Sequence, residues 1–164
     1  MKPIVAVIGA TKSGRSTVGA ELASLLDVPF TENEDLLKRD LHDLVVADPK
    51  GASQEILRAS KGLLDHPGVV TLLPSAAGDV HTLTMFADLE VPIVLLTCSA
   101  ARLASRANLG APRPTTLGTP RAVFAAMVSQ LHKAAKPFVE ASFSTEGTVA
   151  REVAIAIRDT IART

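Results

Sequence analysis

The chain has 164 residues, enough for one domain that buries a sizeable core without disulfide or metal staples. Hydrophobic residues make up 47%, which excludes a disordered chain. Seventeen basic residues balance seventeen acidic ones, so no broad positive field exists for nucleic acid or an anionic membrane, and any anion must be caught at a local site.

Ile4 to Ile8 is a short β-branched run and reads as a buried first strand. From Thr17 to Leu26, Val18, Leu22, Leu25 and Leu26 recur at helical spacing. Val28-Pro29-Phe30 is a brief second strand. Glu34 to Val46 and Ser53 to Leu64 read as helices, separated by the turn Asp48-Pro49-Lys50-Gly51. Val69 to Leu73 is a buried strand ended by Pro74-Ser75, and Val91 to Cys98 is the next, with Ser99 capping the helix after it. Asn108 to Pro120 holds three prolines and two glycines and reads as a mobile surface segment. Ala122 to Ala141 is a long helix bent before Pro137. Ser142 to Thr145 is the last strand and Thr148 to Ala162 the closing helix. Strands that alternate with helices in this way predict βαβ units around a parallel sheet.

Other signals are exclusions. One cysteine, Cys98, precludes an internal disulfide, and it ends a buried strand, so it reads as core. The apolar start, Ile4 to Ile8, is too short for a signal peptide or membrane span, and a reducing cytoplasm is expected. Tryptophan and tyrosine are absent, which argues against a stacking platform for bases. His42, His66, His81 and His132 share no metal-ligand spacing.

The chemistry sits between the first strand and the first helix. Gly9-Ala10-Thr11-Lys12-Ser13-Gly14-Arg15-Ser16-Thr17 has the spacing of a Walker A loop, with arginine in the place of lysine. Small residues let successive backbone N–H groups converge on phosphate oxygens, and the helix beginning near Arg15 adds its positive end. Ser16 supplies a hydroxyl for Mg²⁺. Arginine keeps the charge but is longer, planar and forked, and Lys12 can supply part of the missing ammonium function. A ligand-free Gly-rich turn has the same composition; the position after a first strand and before a first helix favours phosphate.

The opening, Ile4-Val5-Ala6-Val7-Ile8-Gly9 through Ser13-Gly14-Arg15-Ser16-Thr17-Val18-Gly19 to Leu26, resembles that of the shikimate kinase family. Val28-Pro29-Phe30-Thr31-Glu32-Asn33-Glu34 falls where that family carries an Asp-x-Asp segment. Ser99-Ala100-Ala101, Arg106 and Arg113-Pro114 are similar to its adenine-side and lid arginines, and Arg121-Ala122 with Lys136-Pro137-Phe138 resembles the helix after the lid. The resemblance implies a three-layer α/β P-loop kinase fold over residues 1–164, with a five-stranded parallel sheet in the order 2-3-1-4-5 and a lid at about 108–120. It implies a monomeric enzyme of aromatic amino acid biosynthesis that transfers the γ-phosphoryl group of ATP, with Mg²⁺, to a hydroxyl of shikimate.

Carried over by position, Gly9, Lys12, Ser13, Gly14, Arg15, Ser16 and Thr17 would hold the phosphates and Arg106 would flank the adenine. Ser16 and Glu32 would serve the metal. Arg15, Glu34 and Arg113 would be catalytic, and Glu34 and Arg58 would meet the substrate, Arg58 through its carboxylate. Glu32, Glu34 and Asp35 can equally be the acidic first turn of a helix, and Arg58 a solvated charge.

Departures from the family pattern fall on working positions. Both aspartates are glutamates, one methylene longer. The family's triple-glycine turn is Leu73-Pro74-Ser75-Ala76-Ala77, and its second carboxylate-binding arginine is Ala135, with Lys133 and Lys136 nearby. Three readings therefore stand: a kinase of shikimate or a similar small acid, a kinase of another small polyol or acid, and an impaired relative that binds nucleotide, an anion or a protein partner without efficient turnover.

Overall fold

Five strands form one all-parallel sheet in the order β2-β3-β1-β4-β5, in a computed structural model that describes residues 1–107 and 120–164. β1 (Pro3–Gly9) is central, pairing with β3 (Gly68–Thr71) on one side and β4 (Ile93–Thr97) on the other. β2 (Phe30–Glu32) lies outside β3, and β5 (Ala141–Ser144) outside β4. Val5 to Ile8 are wholly buried, as expected of a strand covered on both faces.

Two apolar layers sandwich the sheet. One face is packed by α1 (Arg15–Leu26) and α8 (Ala150–Ile161), through Val18, Leu22, Val153 and Ile157. The other is covered by α3 (Pro49–Leu63), α4 (Pro74–Ala77), α5 (Val80–Asp88) and α7 (Pro120–Ala135), through Leu63, Leu83, Phe86 and Leu131. α2 (Leu41–Ala47) and α6 (Ala100–Arg106) complete the set. The layers and strand order match those expected. Cys98 is buried beside Ala10, Leu103 and Val128, as core.

Several boundaries differ, each for a local reason. The helix expected over Glu34 to Val46 is interrupted. A 3₁₀ turn, Asn33–Leu36, is followed by extended backbone at Leu37, and α2 starts only where the Asp40 side chain accepts the N–H groups of His42 and Asp43. The turn expected at Asp48 to Gly51 is instead the start of α3: Asp48 caps it by accepting from Gly51 N–H at 3.0 Å, and Pro49 takes the first position, where a missing N–H costs nothing. β2 runs Phe30–Glu32 rather than Val28 to Phe30, which puts Glu32 on the strand's last residue. α7 ends at Ala135 instead of bending on to Ala141, because Pro137 cannot continue it. The lid expected at about 108–120 lies outside the described residues, apart from Pro120 at the start of α7.

α5 was not anticipated. Asp79 caps it, accepting from the Thr82 N–H at 2.9 Å and the Thr82 hydroxyl at 2.7 Å, and Leu83 and Phe86 are its buried stripe. Phe86 is fully enclosed. Phe86→Ala is therefore expected to cost about 3–5 kcal/mol of stability. Val46→Ala, at a 70% exposed position, should stay within about 0.5 kcal/mol of the parent. Urea unfolding midpoints compare the two.

Candidate phosphate-binding site

The chain leaves β1 at Gly9, turns, and enters α1 at Arg15. Two residues of this turn have left-handed backbone, Lys12 at φ 67° and Gly14 at φ 98°. Such a value suits glycine and is the backbone of an anion-binding concavity. Gly14 caps α1 without any side-chain hydrogen bond, and the first turn of α1 holds no acid. The positive end of the helix is thus open to a negative ligand.

The loop is held from behind. Arg106, near the end of α6, donates through Nη1 to the Lys12 carbonyl and through Nη2 to the Thr145 carbonyl, both at 3.1 Å. The Thr145 hydroxyl donates to the Ser13 carbonyl at 2.8 Å. Because the peptide is planar and trans, tying a carbonyl outward aims the N–H of the next residue the opposite way. Arg106 and Thr145 thereby fix the amides of Ser13, which donates to the Ala10 carbonyl at 3.0 Å, and of Gly14. Ser13 itself is buried, its hydroxyl without a hydrogen-bond partner among the described residues. Beside these groups lies a cavity of about 280 Å³ that Lys12, Gly14, Thr17, Arg106, Thr145 and Thr148 help to line. Arg106 thus adjoins the loop. Thr145 carries no sequence signal, since a threonine after a strand is commonplace.

In front of the loop stand the acids. The Ser16 hydroxyl donates to Glu32 Oε1. The Glu32 N–H donates to Asp35 Oδ2 at 2.8 Å, and Glu34 is exposed. Arg15 is half-buried and donates through Nη1 to the Leu72 carbonyl at the end of β3. Burial pushes its guanidinium below the usual value, and the carboxylates of Glu34 and Glu32 oppose that push. Arg15, Ser16, Glu32 and Glu34 therefore form one cluster. Arg113 lies outside the described residues.

Asn33, the first residue of the 3₁₀ turn, carries no sequence signal of its own. It is fully buried, and its Oδ1 accepts from the Leu73 N–H and the Ser60 hydroxyl, both at 3.2 Å. It fastens the end of β2 to the rebuilt turn after β3.

Arg58 sits apart from the loop. It is paired with Glu55 at 2.6 Å on its own helix and donates to the Leu36 carbonyl. The hydrogen bond from Arg58, aided by the Lys38 N–H, lowers the Glu55 carboxyl to about 2. Among the described residues, no group of three or more His, Cys, Asp or Glu could hold a metal by itself. No helix among them is long and apolar enough to cross a membrane.

No protein-family profile matches the chain. A shikimate kinase of Thermobifida fusca is 31% identical over 135 residues, covering 79% of this chain and 77% of the relative. This chain belongs to the shikimate kinase family. A second family member, from Saccharopolyspora erythraea, is 30% identical over 135 residues, covering 78% and 76% of the two chains. The fold agrees with that of the Acinetobacter baumannii shikimate kinase solved in complex with shikimate, with a TM-score of 0.78 at 15% identity over 99% of this chain and 94% of the other. A gluconokinase of Sinorhizobium meliloti gives 0.71 at 19% identity, over 99% and 93%. The family is one of small-molecule kinases with the P-loop fold.

Two outcomes test the site. Asn33→Ala leaves the Leu73 N–H without its acceptor in the core, while the Ser60 hydroxyl keeps the Ile56 carbonyl at 2.8 Å, and should cost about 1–3 kcal/mol in chemical unfolding. The Glu55 carboxyl is lowered in the folded state, so its stabilising contribution is whole above its ordinary value of 4.5 and fades as pH falls toward about 2. The unfolding midpoints of the protein and of Glu55→Gln should therefore converge across that window.

Proposed function

We propose that residues 1–164 act as one monomeric domain, an ATP-dependent kinase that transfers the γ-phosphoryl group to a hydroxyl of a small cyclic acceptor. Shikimate is the first acceptor to test, because the relatives carry that name. The observation that carries this reading is the meeting of Ser16 and Glu32 at the mouth of a phosphate loop whose helix end is free of acids.

Phosphoryl transfer asks the protein mainly to position groups and stabilise charge. The amides of Lys12 and of Gly14 to Thr17 would hold phosphate oxygens, and the cavity bounded by Arg106 and Thr145 would take the adenine end of ATP. Ser16 and Glu32 are two hard oxygen donors in contact, the kind of set that Mg²⁺ accepts together with phosphate oxygens. There they would hold Mg²⁺, which neutralises charge on the β- and γ-phosphates. Glu34, exposed beside Arg15, would orient the acceptor hydroxyl. Arg15 would swing from the Leu72 carbonyl to the phosphates, and Arg113 would close over them.

One observation favours a second reading, an impaired relative that binds nucleotide without efficient turnover. Arg15, the loop's cation at the lysine position, is engaged by the Leu72 carbonyl and the field of Glu34 and Glu32. Calorimetric titration with ATP and Mg²⁺, followed by assay of ADP release with shikimate, separates the readings. Saturable binding with acceptor-stimulated ADP release is expected for the kinase, and binding alone for the impaired relative. No binding at millimolar nucleotide would sink both.

Arg15→Lys replaces a fork with a point charge suited to a place between phosphates. It should tighten nucleotide binding or speed transfer by on the order of tenfold, the worth of one charge-assisted hydrogen bond. A lysine variant clearly worse in both assays would mean that the arginine is tuned to this loop.

A further inference from the structure

A cavity of about 220 Å³ opens between the start of the phosphate loop, the rebuilt turn and α7. It is smaller than the roughly 300 Å³ at which sites for drug-sized ligands begin, so a single ring suits it. Thr11 contributes from the loop, Pro74 and Ser75 from the turn, and Phe124, Gln130 and Leu131 from α7. No described residue that lines it is acidic, basic or histidine.

Among the described residues, the cations singled out for an acceptor's carboxylate are placed elsewhere. Arg58 is bound to Glu55 and to the Leu36 carbonyl. Arg15 donates to the Leu72 carbonyl. Ala135, at the position where the resemblance expects a second arginine, is wholly buried in the core. Lys136 lines a different cavity, with His132 and Glu140. A carboxylate entering this apolar space would lose its water and gain no partner among the described residues, which is strongly unfavourable. A hydroxyl faces no such penalty, since Thr11, Ser75 and Gln130 can exchange hydrogen bonds with it.

We propose that this cavity holds the ring of an uncharged single-ring alcohol acceptor, its apolar face against Phe124 and Leu131, its binding hydroxyls toward Thr11, Ser75 and Gln130, and its reacting hydroxyl left at the mouth for Glu34. The inference rests on the kinase reading for the fate of the bound alcohol, whereas occupancy of the cavity does not require turnover.

The test is therefore direct binding to the full chain, by calorimetry, with and without ATP and Mg²⁺. The probes are shikimate, its neutral methyl ester, and cyclohexane-1,2-diol. Both neutral probes should bind at least about tenfold more tightly than shikimate. Met127 lines the same cavity and is 61% exposed, so Met127→Arg can add a cation at the rim without disturbing the core. That variant should keep the parent's melting midpoint and bind shikimate at least about tenfold more tightly than the parent does. Shikimate binding as tightly as its methyl ester in the parent overturns the proposal. So does failure of both neutral probes to bind, or an unchanged preference in a folded Met127→Arg variant. Neutral probes that bind while ATP does not would uphold the acceptor site and remove the kinase reading. ATP binding without any neutral probe does the reverse.

Discussion

Parallel pairing of β1 with β3 on one side and β4 on the other brings the carboxyl ends of these strands to one edge of the sheet. Every functional feature hangs from that edge. Val7 lies opposite Thr71 and Gly9 opposite Leu96, so the phosphate loop leaves β1 level with the turn that leaves β3. Ligand sites in open α/β sheets form outside such strand ends, where diverging loops leave a crevice. The loop's own residues could not build this site alone, because its walls come from segments distant in sequence.

Two polar contacts, one half-buried and one buried, turn the shared edge into a defined site. Arg15 reaches from α1 to the Leu72 carbonyl, and Asn33 reaches from the end of β2 to the Leu73 N–H. The turn after β3 is thus tied to the loop on one side and to the acidic segment on the other. Behind the loop, Arg106 and Thr145 hold the carbonyls of Lys12 and Ser13. The loop's amides are positioned before a ligand arrives, so less ordering is required on binding.

The site also divides by chemistry. The phosphate side keeps a helix end, a hydroxyl and a carboxylate in contact, all suited to a polyanion with its cation. On the side proposed for the acceptor, Pro74 to Ala77 form a short helix, Ala135 is core, and Arg58 is paired with Glu55.

Much of the fold was legible from residue pattern. β-branched runs of five or so residues mark strands buried on both faces, and helical spacing marks α1 and α8, since hydrophobic periodicity is a local property of the chain. The phosphate loop was equally legible, because its function depends on small residues at fixed spacing next to a strand. Local pattern failed where a single polar contact decides. Asp40 and Asp48 set the starts of α2 and α3, and Asp79 nucleates α5, each through one side-chain acceptor rather than through a run of residues. The site's supports were hidden for the same reason: Asn33 meets Leu73 and Ser60, and Thr145 meets Ser13, only after the sheet has formed. What the sequence alone determined, then, is the order of the strands, most of the helices between them and the place of the candidate phosphate loop, which follow from periodicity and spacing. Whether Arg15 and Arg58 face a ligand or their own neighbours was decided by tertiary structure, because a long cation goes to whichever acceptor the packed backbone brings within its reach.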